Sequence, residues 1–376
     1  MKIAYISYLG QEIVKRWAEW FAKRGHEVYL VLPAHTTKVQ AEFKGVHIHK
    51  VNIQSYASKI FPFPTIWSGV LPCRKVINEI KPDIVHGQNV IESGLPVVFS
   101  GDYPKIVSIL GNEPFLELIV YRLLVKTVFW RVNAIHSFAE NLTEKTISLG
   151  VNKPKIFTIR PCADTKKYNP YLDGFDLKKS LNFENNPLVI STRNLWPGYN
   201  VECLIESVPY VIKEIPNAKF MIKMGHIIPE ERVEKFKNLV KNLKISNRVK
   251  FIGYVPYNDL PKYLACADVY VSTSLFDGLG ISNIEALACG TPAVLADIDS
   301  TRNLIKKGLH ARLYPPKDSK ALAKEIIASI KNKEKENKEI HKENFEIIKE
   351  HYDFDKNMEK VEKLYENLID KYKKHK

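Results

Sequence analysis

The sequence predicts an α/β protein built as two doubly wound parallel-sheet domains, and three observations predict it. Short β-branched and aromatic runs alternate with stretches of helical period along both halves of the chain. The alternation breaks at residues 161–164 (PCAD) and 168–170 (YNP) and then restarts. A length of 376 residues exceeds what one core usually takes, and a hydrophobic share of 45% suffices for two. The expected domains are residues 1–165 and 166–350, with 351–376 as a closing helix.

In the first half, residues 3–7 read as a strand, Gly10 as its turn, 11–24 as an amphipathic helix stopped by Gly25, and 26–33 as the next strand. Only one glycine marks that first turn, so the Gly-x-Gly-x-x-Gly dinucleotide fingerprint is missing, which counts against a nicotinamide enzyme. Residues 46–52 read as a third strand, and 80–86 (IKPDIVH) introduce a fourth. Between these two, residues 56–72 (YASKIFPFPTIWSGVLP) have no clean period, and fit either a packed loop or one that touches an acceptor or a membrane. Residues 106–110 form a strand and 111–113 (GNE) its turn. The helical stretch 115–132 carries Arg122, Lys126 and Arg131 among apolar residues, suited to covering a sheet or to lying on an anionic bilayer. Residues 134–138 and 155–160 are the last strands of this half.

In the second half the expected strands are 187–191, 219–223, 249–252, 268–272 and 293–296. Helices are expected at 201–215, 230–243, 260–265 and from 319 onward. Residues 331–350 mix Lys and Glu, as a solvated helix face or loop does. Residues 354–372 regain a helical period through Met358, Val361, Leu364, Tyr365 and Leu368.

A net charge of +14 and a pI near 9.3 call for anionic partners, among which nucleic acid, anionic lipid and phosphorylated small molecules all qualify. The five cysteines are dispersed, without a Cys-x-x-Cys pair, so neither a disulfide framework nor a zinc site is indicated and a reducing cytoplasm fits. Neither a signal-peptide core nor a run of about twenty apolar residues occurs, which leaves peripheral attachment as the remaining membrane option.

Chemistry concentrates in residues 274–294, SLFDGLGISNIEALACGTPAV. Gly278 and Gly280 allow a tight path after a strand, and Ser282 and Glu285 have capping-box spacing ahead of a helix. A strand, a glycine loop and a fresh helix N-terminus make a seat for phosphate, each charge gaining about 0.3–1 kcal/mol there. Asp277 and Glu285 bracket the seat, and ionised carboxylates accept hydrogen bonds from sugar hydroxyls. The plainer alternative makes Glu285 the reciprocal member of a capping box and Asp277-Gly278 a turn.

The whole string resembles the nucleotide-sugar signature of the family 4 retaining glycosyltransferases: a serine, an acidic residue, Gly-x-Gly, a glutamate, then Ala-x-Ala-x-Gly-x-Pro and a short strand. Here these are Ser274, Asp277, Gly278, Gly280, Glu285, Ala286, Ala288, Gly290 and Pro292. Asp277 stands where the family usually has glutamate. The resemblance implies a GT-B fold, two Rossmann-like domains facing a central cleft, the first for acceptor and the second for a nucleoside diphosphate sugar, UDP or GDP, with the closing helix 351–376 crossing back to the first domain. It implies sugar transfer with retention and without a metal or other cofactor. It also assigns Arg193, at the end of a strand, to the leaving diphosphate. Where the family has a lysine next to it stand Tyr199 and Asn200, a subgroup mark. Asp277 would hold the sugar's hydroxyls and Glu285 the ribose. Gly225 and the stretch 249–253 (VKFIG, with Phe251) match the nucleotide-base edge, and Leu279 and Ile281 fall in the donor-binding loop. On the acceptor side, Gly10, Asn112 and Glu113 match weakly, without the histidine that many relatives carry. The implied partners are a nucleotide sugar and a lipid-linked or glycan acceptor, an anionic membrane surface is a further option, and nucleic acid is not implied. A non-catalytic protein that binds a nucleotide sugar is the rival reading.

Two other constellations are weak. Asp297-Ile-Asp299 is an Asp-x-Asp, which holds a divalent metal in another class of glycosyltransferases, but it reads here as a turn. His47 and His49 alternate on one strand without a third ligand in view.

Overall fold

Strands whose residues are buried on both faces must be covered by helices on both sides, and that is how both sheets are made. The structure is a computed structural model and describes residues 1–7, 12–34, 43–53, 67–111, 119–225, 228–332 and 338–375. The chain divides into two compact units, residues 1–160 with 356–376, and residues 161–355. Residues 161–163 fall in the second unit because backbone bonds join Cys162 N–H and Ala163 N–H to Tyr352 O, and Phe354 N–H to Ala163 O.

The first unit holds seven strands: β1 (Lys2–Ile6), β2 (Glu27–Ala34), β3 (Val46–Asn52), β4 (Ile84–Gly87), β5 (Lys105–Ile109), β6 (Ala134–Ser137) and β7 (Ile156–Thr158). They pair in parallel in the order β3-β2-β1-β4-β5-β6-β7. The helix Glu12–Lys23 buries Val14, Trp17, Ala18 and Phe21, the i, i+3, i+4, i+7 stripe of an element lying on a sheet. A left-handed Gly25 follows it. Residues from Lys356 of the helix Phe354–Lys374 belong to this unit. There Tyr365 stacks on Phe21 with ring centroids 5.2 Å apart, and Glu362 binds Arg24 at 2.8 Å and His26 at 2.6 Å. Beneath them runs a fully buried polar chain. Tyr5 and Tyr365 hydroxyls meet at 3.2 Å, Tyr365 meets His86 Nδ1, His86 Nε2 lies 2.7 Å from Ser108 Oγ, and Ser108 Oγ lies 2.9 Å from His136 Nδ1. His136 Nε2 ends the chain by donating to Ile159 O at 2.8 Å.

The second unit holds six strands: β8 (Leu188–Ser191), β9 (Lys219–Lys223), β10 (Val249–Ile252), β11 (Val269–Ser272), β12 (Ala293–Ala296) and β13 (Arg312–Tyr314), parallel and ordered β10-β9-β8-β11-β12-β13. One face of this sheet, with Val189, Phe220, Ile222, Val269, Val271 and Val294, packs into a core shared with the helices Val201–Glu214 and Ser319–Lys331. The other face carries Tyr270, whose hydroxyl reaches the helix Ile281–Ala288.

Several elements were not expected from the sequence. The strand β13 has three residues, too few for an alternating pattern, and the short helices Gly94–Val98, Glu140–Ser148, Phe175–Ser180 and Asp299–Lys306 span only five to nine residues each. Of the helix or loop expected in the Lys/Glu-rich stretch, a helix is the one formed, over Lys338–His351. Of the aperiodic stretch 56–72, residues 56–66 lie outside the described residues. Leu71 and Pro72 open the helix Val70–Ile80, where a proline in the first turn costs no hydrogen bond.

Candidate nucleotide-sugar site

In a doubly wound sheet the crevice for ligand opens at the carboxyl ends of the strands, where the order reverses. In the second sheet that point lies between β8 and β11. The chain leaving β8 carries Arg193, and the chain leaving β11 carries Ser272, Asp277 and the glycine loop. Sheet topology therefore brings together residues separated by about eighty positions.

Arg193 is 7% exposed and is held by three acceptors. Its Nε donates to Ser272 Oγ at 2.9 Å, and its Nη2 to Asp277 Oδ2 at 2.5 Å and to Asn283 Oδ1 at 3.0 Å. Burial, the largest single influence, opposes its charge, but Asp277, Tyr270 and Tyr199 together outweigh burial and the guanidinium is held above its ordinary range. A permanently charged, oriented guanidinium beside the start of a helix is a preformed anion site.

Tyr199 lays its ring with the centroid 5.5 Å from the Arg193 guanidinium carbon, a cation–π contact. Its loop is fastened to the one after β11: Thr273 Oγ1 donates to Tyr199 O at 2.7 Å, and Leu275 N–H to Gly198 O at 2.9 Å. Burial raises the Tyr199 pKa.

The helix Ile281–Ala288 begins on Gly280, whose φ of 74° is left-handed, with no side-chain cap. The capping box expected from Ser282 and Glu285 is not formed. The glycine turns the chain into the helix two residues earlier, which puts Ser282 inside the first turn, where its hydroxyl accepts from Tyr270 Oη at 3.2 Å. A Cβ on Gly280 would stand 2.6 Å from Asn283 Nδ2 and 3.5 Å from Arg193 Nη2, so glycine is required there by space as well as by φ. Gly278 and Leu279 are buried, Ile281 is half-buried and Glu285 is 5% exposed.

Gly225 follows β9 closely, and the Asn194 amide packs where its Cβ would be. Phe251 turns its ring toward the core on the opposite sheet face, so its backbone is what remains for a ligand. Gly10, Asn112 and Glu113 lie outside the described residues. The Asp-x-Asp is closed by Arg302, which binds Asp297 at 2.9 Å and Asp299 at 2.7 Å, and the helix Asp299–Lys306 begins on it. His47 stacks on Tyr29 at 4.9 Å, and no group of side chains suited to a metal occurs among the described residues.

Sequence reasoning missed Ser272, Tyr270, Asn283, Lys223 and Gln88. Asn283 is fully buried, and its Oδ1 accepts from both Arg193 and Tyr270, the latter at 3.1 Å. Its position three residues after Gly280, on the same helical turn, was the available signal. Lys223 ends β9 on the sheet face of Tyr270, opposite the side chain of Ile222; burial lowers its pKa, and Glu285 acts against that. In the first sheet the order reverses between β1 and β4, and Gln88 follows β4 directly. Gln88 is 2% exposed, with neither amide atom hydrogen-bonded among the described residues.

Comparison with known proteins agrees with this geometry. Residues 174–346 match the model "Glycosyl transferases group 1", and residues 2–137 match "Glycosyl transferase 4-like". The chain is 22% identical over 340 residues to N-acetyl-alpha-D-glucosaminyl L-malate synthase of Bacillus anthracis, covering 87% of this chain and 84% of that one. It is 29% identical over 163 residues to the UDP-Gal:alpha-D-GlcNAc-diphosphoundecaprenol alpha-1,3-galactosyltransferase of Escherichia coli, covering 42% of this chain and 41% of that relative's length. Among solved structures, Anabaena Alr3699/HepE in complex with UDP and glucose superposes with a TM-score of 0.80 at 18% identity, covering 98% of this chain and 100% of that one.

Proposed function

The chain belongs to the glycosyl transferases group 1 family with a GT-B fold, and from that premise we propose that it transfers a sugar from a nucleoside diphosphate sugar, UDP- or GDP-linked, to a lipid-linked or glycan acceptor, with retention of configuration. The observation that carries this reading is the buried, three-point-held Arg193 at the switch point, beside the start of the helix Ile281–Ala288. Charge that develops on a departing diphosphate meets a fixed cation and a helix dipole there, with no reorganisation at the moment of reaction. Asp277 serves the sugar hydroxyls and Glu285 the ribose. Since the protein's own groups supply the positive charge, the reaction needs no metal.

The membrane-facing part of the reading is supported by the helix Ile119–Arg131. Arg122, Lys126, Leu123 and Trp130 are exposed on it, the last two at 62% and 81%. Basic and large apolar side chains together on one helix suit the headgroup boundary of an anionic bilayer, each cation contributing about 1 kcal/mol. Among the described residues no helix is long and apolar enough to cross a membrane.

The test is transfer of isotope-labelled sugar from a panel of UDP and GDP sugars, with membrane extract as acceptor source and saturating chelator present. Label should enter the lipid or glycan fraction with unchanged anomeric configuration. Binding without transfer would favour the non-catalytic reading, and a chelator-sensitive reaction restored by magnesium or manganese would remove metal independence. Sedimentation with anionic liposomes at low salt, released at high salt, checks the surface. Indifference to such liposomes would point to a soluble acceptor.

A further inference from the structure

The functional reading gives Arg193 and Asp277 different ligands, a diphosphate for one and sugar hydroxyls for the other, yet the two are bonded to each other at 2.5 Å. The three acceptors on Arg193 are anchored unequally. Ser272 ends β11, and Asn283 sits within the helix Ile281–Ala288, fully buried, with Tyr270 Oη also donating to its Oδ1. Asp277 lies in the loop between them, next to the exposed Phe276 and followed by Gly278. The two neutral acceptors are fixed by secondary structure, and the charged one is carried by a loop with two glycines. We propose that the Arg193–Asp277 ion pair is exchangeable. The incoming diphosphate takes over the Nη2 contact, Asp277 moves to the sugar hydroxyls, and Ser272 and Asn283 act as positioning residues that keep the guanidinium in place while its carboxylate partner leaves.

The exchange balances in charge. A neutral pair becomes an arginine–phosphate pair plus a free carboxylate, and that carboxylate only accepts hydrogen bonds, so it is compensated when the nucleotide brings a sugar with hydroxyls to donate. A bare nucleoside diphosphate leaves it beside an anion. The ion pair thus turns the presence of the sugar into binding selectivity for the complete donor. The inference rests on the proposed donor site, and it assigns Asn283 and Ser272 a part in it.

Calorimetric titration of the full chain with UDP against UDP-glucose, and GDP against GDP-mannose, tests it. Asp277→Asn should bind the bare nucleotide about tenfold tighter and lose the preference for the sugar-bearing form. Asn283→Ala should bind the bare nucleotide about tenfold more weakly, because the guanidinium then follows Asp277, and adding Asp277→Asn should restore binding. A merely structural asparagine gives a loss that the second substitution does not relieve, and that result overturns the proposal. So does Asp277→Asn binding the bare nucleotide no tighter than the wild type. Should Asn283→Ala not fold, Ser272→Ala carries the same test, since it removes the Nε acceptor and leaves Tyr270 and Asn283 in place. A wild-type chain that binds neither nucleotide overturns the donor-site reading itself, which separates that failure from this one.

Discussion

Arg193 is the residue on which the proposed chemistry depends, and its surroundings say how much each neighbour matters. Removing the cation removes the charge aimed at the leaving group, so Arg193→Ala should lower turnover by about a hundredfold or more. Unchanged turnover would take Arg193 out of the site. Tyr199→Phe keeps the ring over the guanidinium and should cost little, whereas Tyr199→Ala loses the cation–π contact and packing against the core, and should cost several-fold in kcat/KM. Equal effects of the two substitutions would mean that the hydroxyl carries the role. Arg193 and Asp277 were legible as separate candidates because each stands in a recognisable string. Their bond to each other was not, since about eighty residues and a strand crossing separate them.

At the level of elements, the helix Ile281–Ala288 owes its start to a glycine and not to a capping side chain. Gly280→Ala would force a Cβ into left-handed backbone, at roughly 1–2 kcal/mol, and push it against Asn283 Nδ2. The expected result is a lower denaturant midpoint together with weaker nucleotide binding. A fully stable, fully binding variant would show that the loop tolerates another path. The sequence spacing Ser282 to Glu285 suggested a capping box, and local spacing alone cannot reveal that the chain has already turned at Gly280. The closing helix was legible from its period, but its use of Glu362 and Tyr365 depended on which strands and helices of the first unit it meets.

Across the whole molecule, acid sensitivity follows from the buried histidines of the first unit. Burial holds His136 down to about 4 and His86 well below its ordinary value, the latter also through His136. In the unfolded chain both titrate near 6.5, so there the unfolded state binds the proton first. Their contribution is complete above about pH 6.5 and is lost as pH falls toward the folded values, with a slope approaching roughly 1.4 kcal/mol per pH unit for each histidine. Denaturant midpoints measured from pH 7 to pH 4 should fall accordingly, and His136→Gln should flatten the decline. A midpoint that stays constant over that range would mean that the polar chain accepts protons without cost.

The sequence by itself determined what depends on neighbours along the chain. It specified two alternating α/β halves, the strands whose apolar runs are four or more residues long, the glycine loop, and the residue types suited to a diphosphate sugar. Tertiary structure alone decided what depends on strand order. It determined that β8 and β11 lie side by side, so that Arg193, Ser272, Asp277 and Asn283 converge, and that Lys223 shares a sheet face with the helix of Glu285. The physical reason is that periodicity and turn chemistry are properties of short windows. A hydrogen bond between side chains about eighty residues apart exists only once parallel pairing has fixed which strand ends are neighbours.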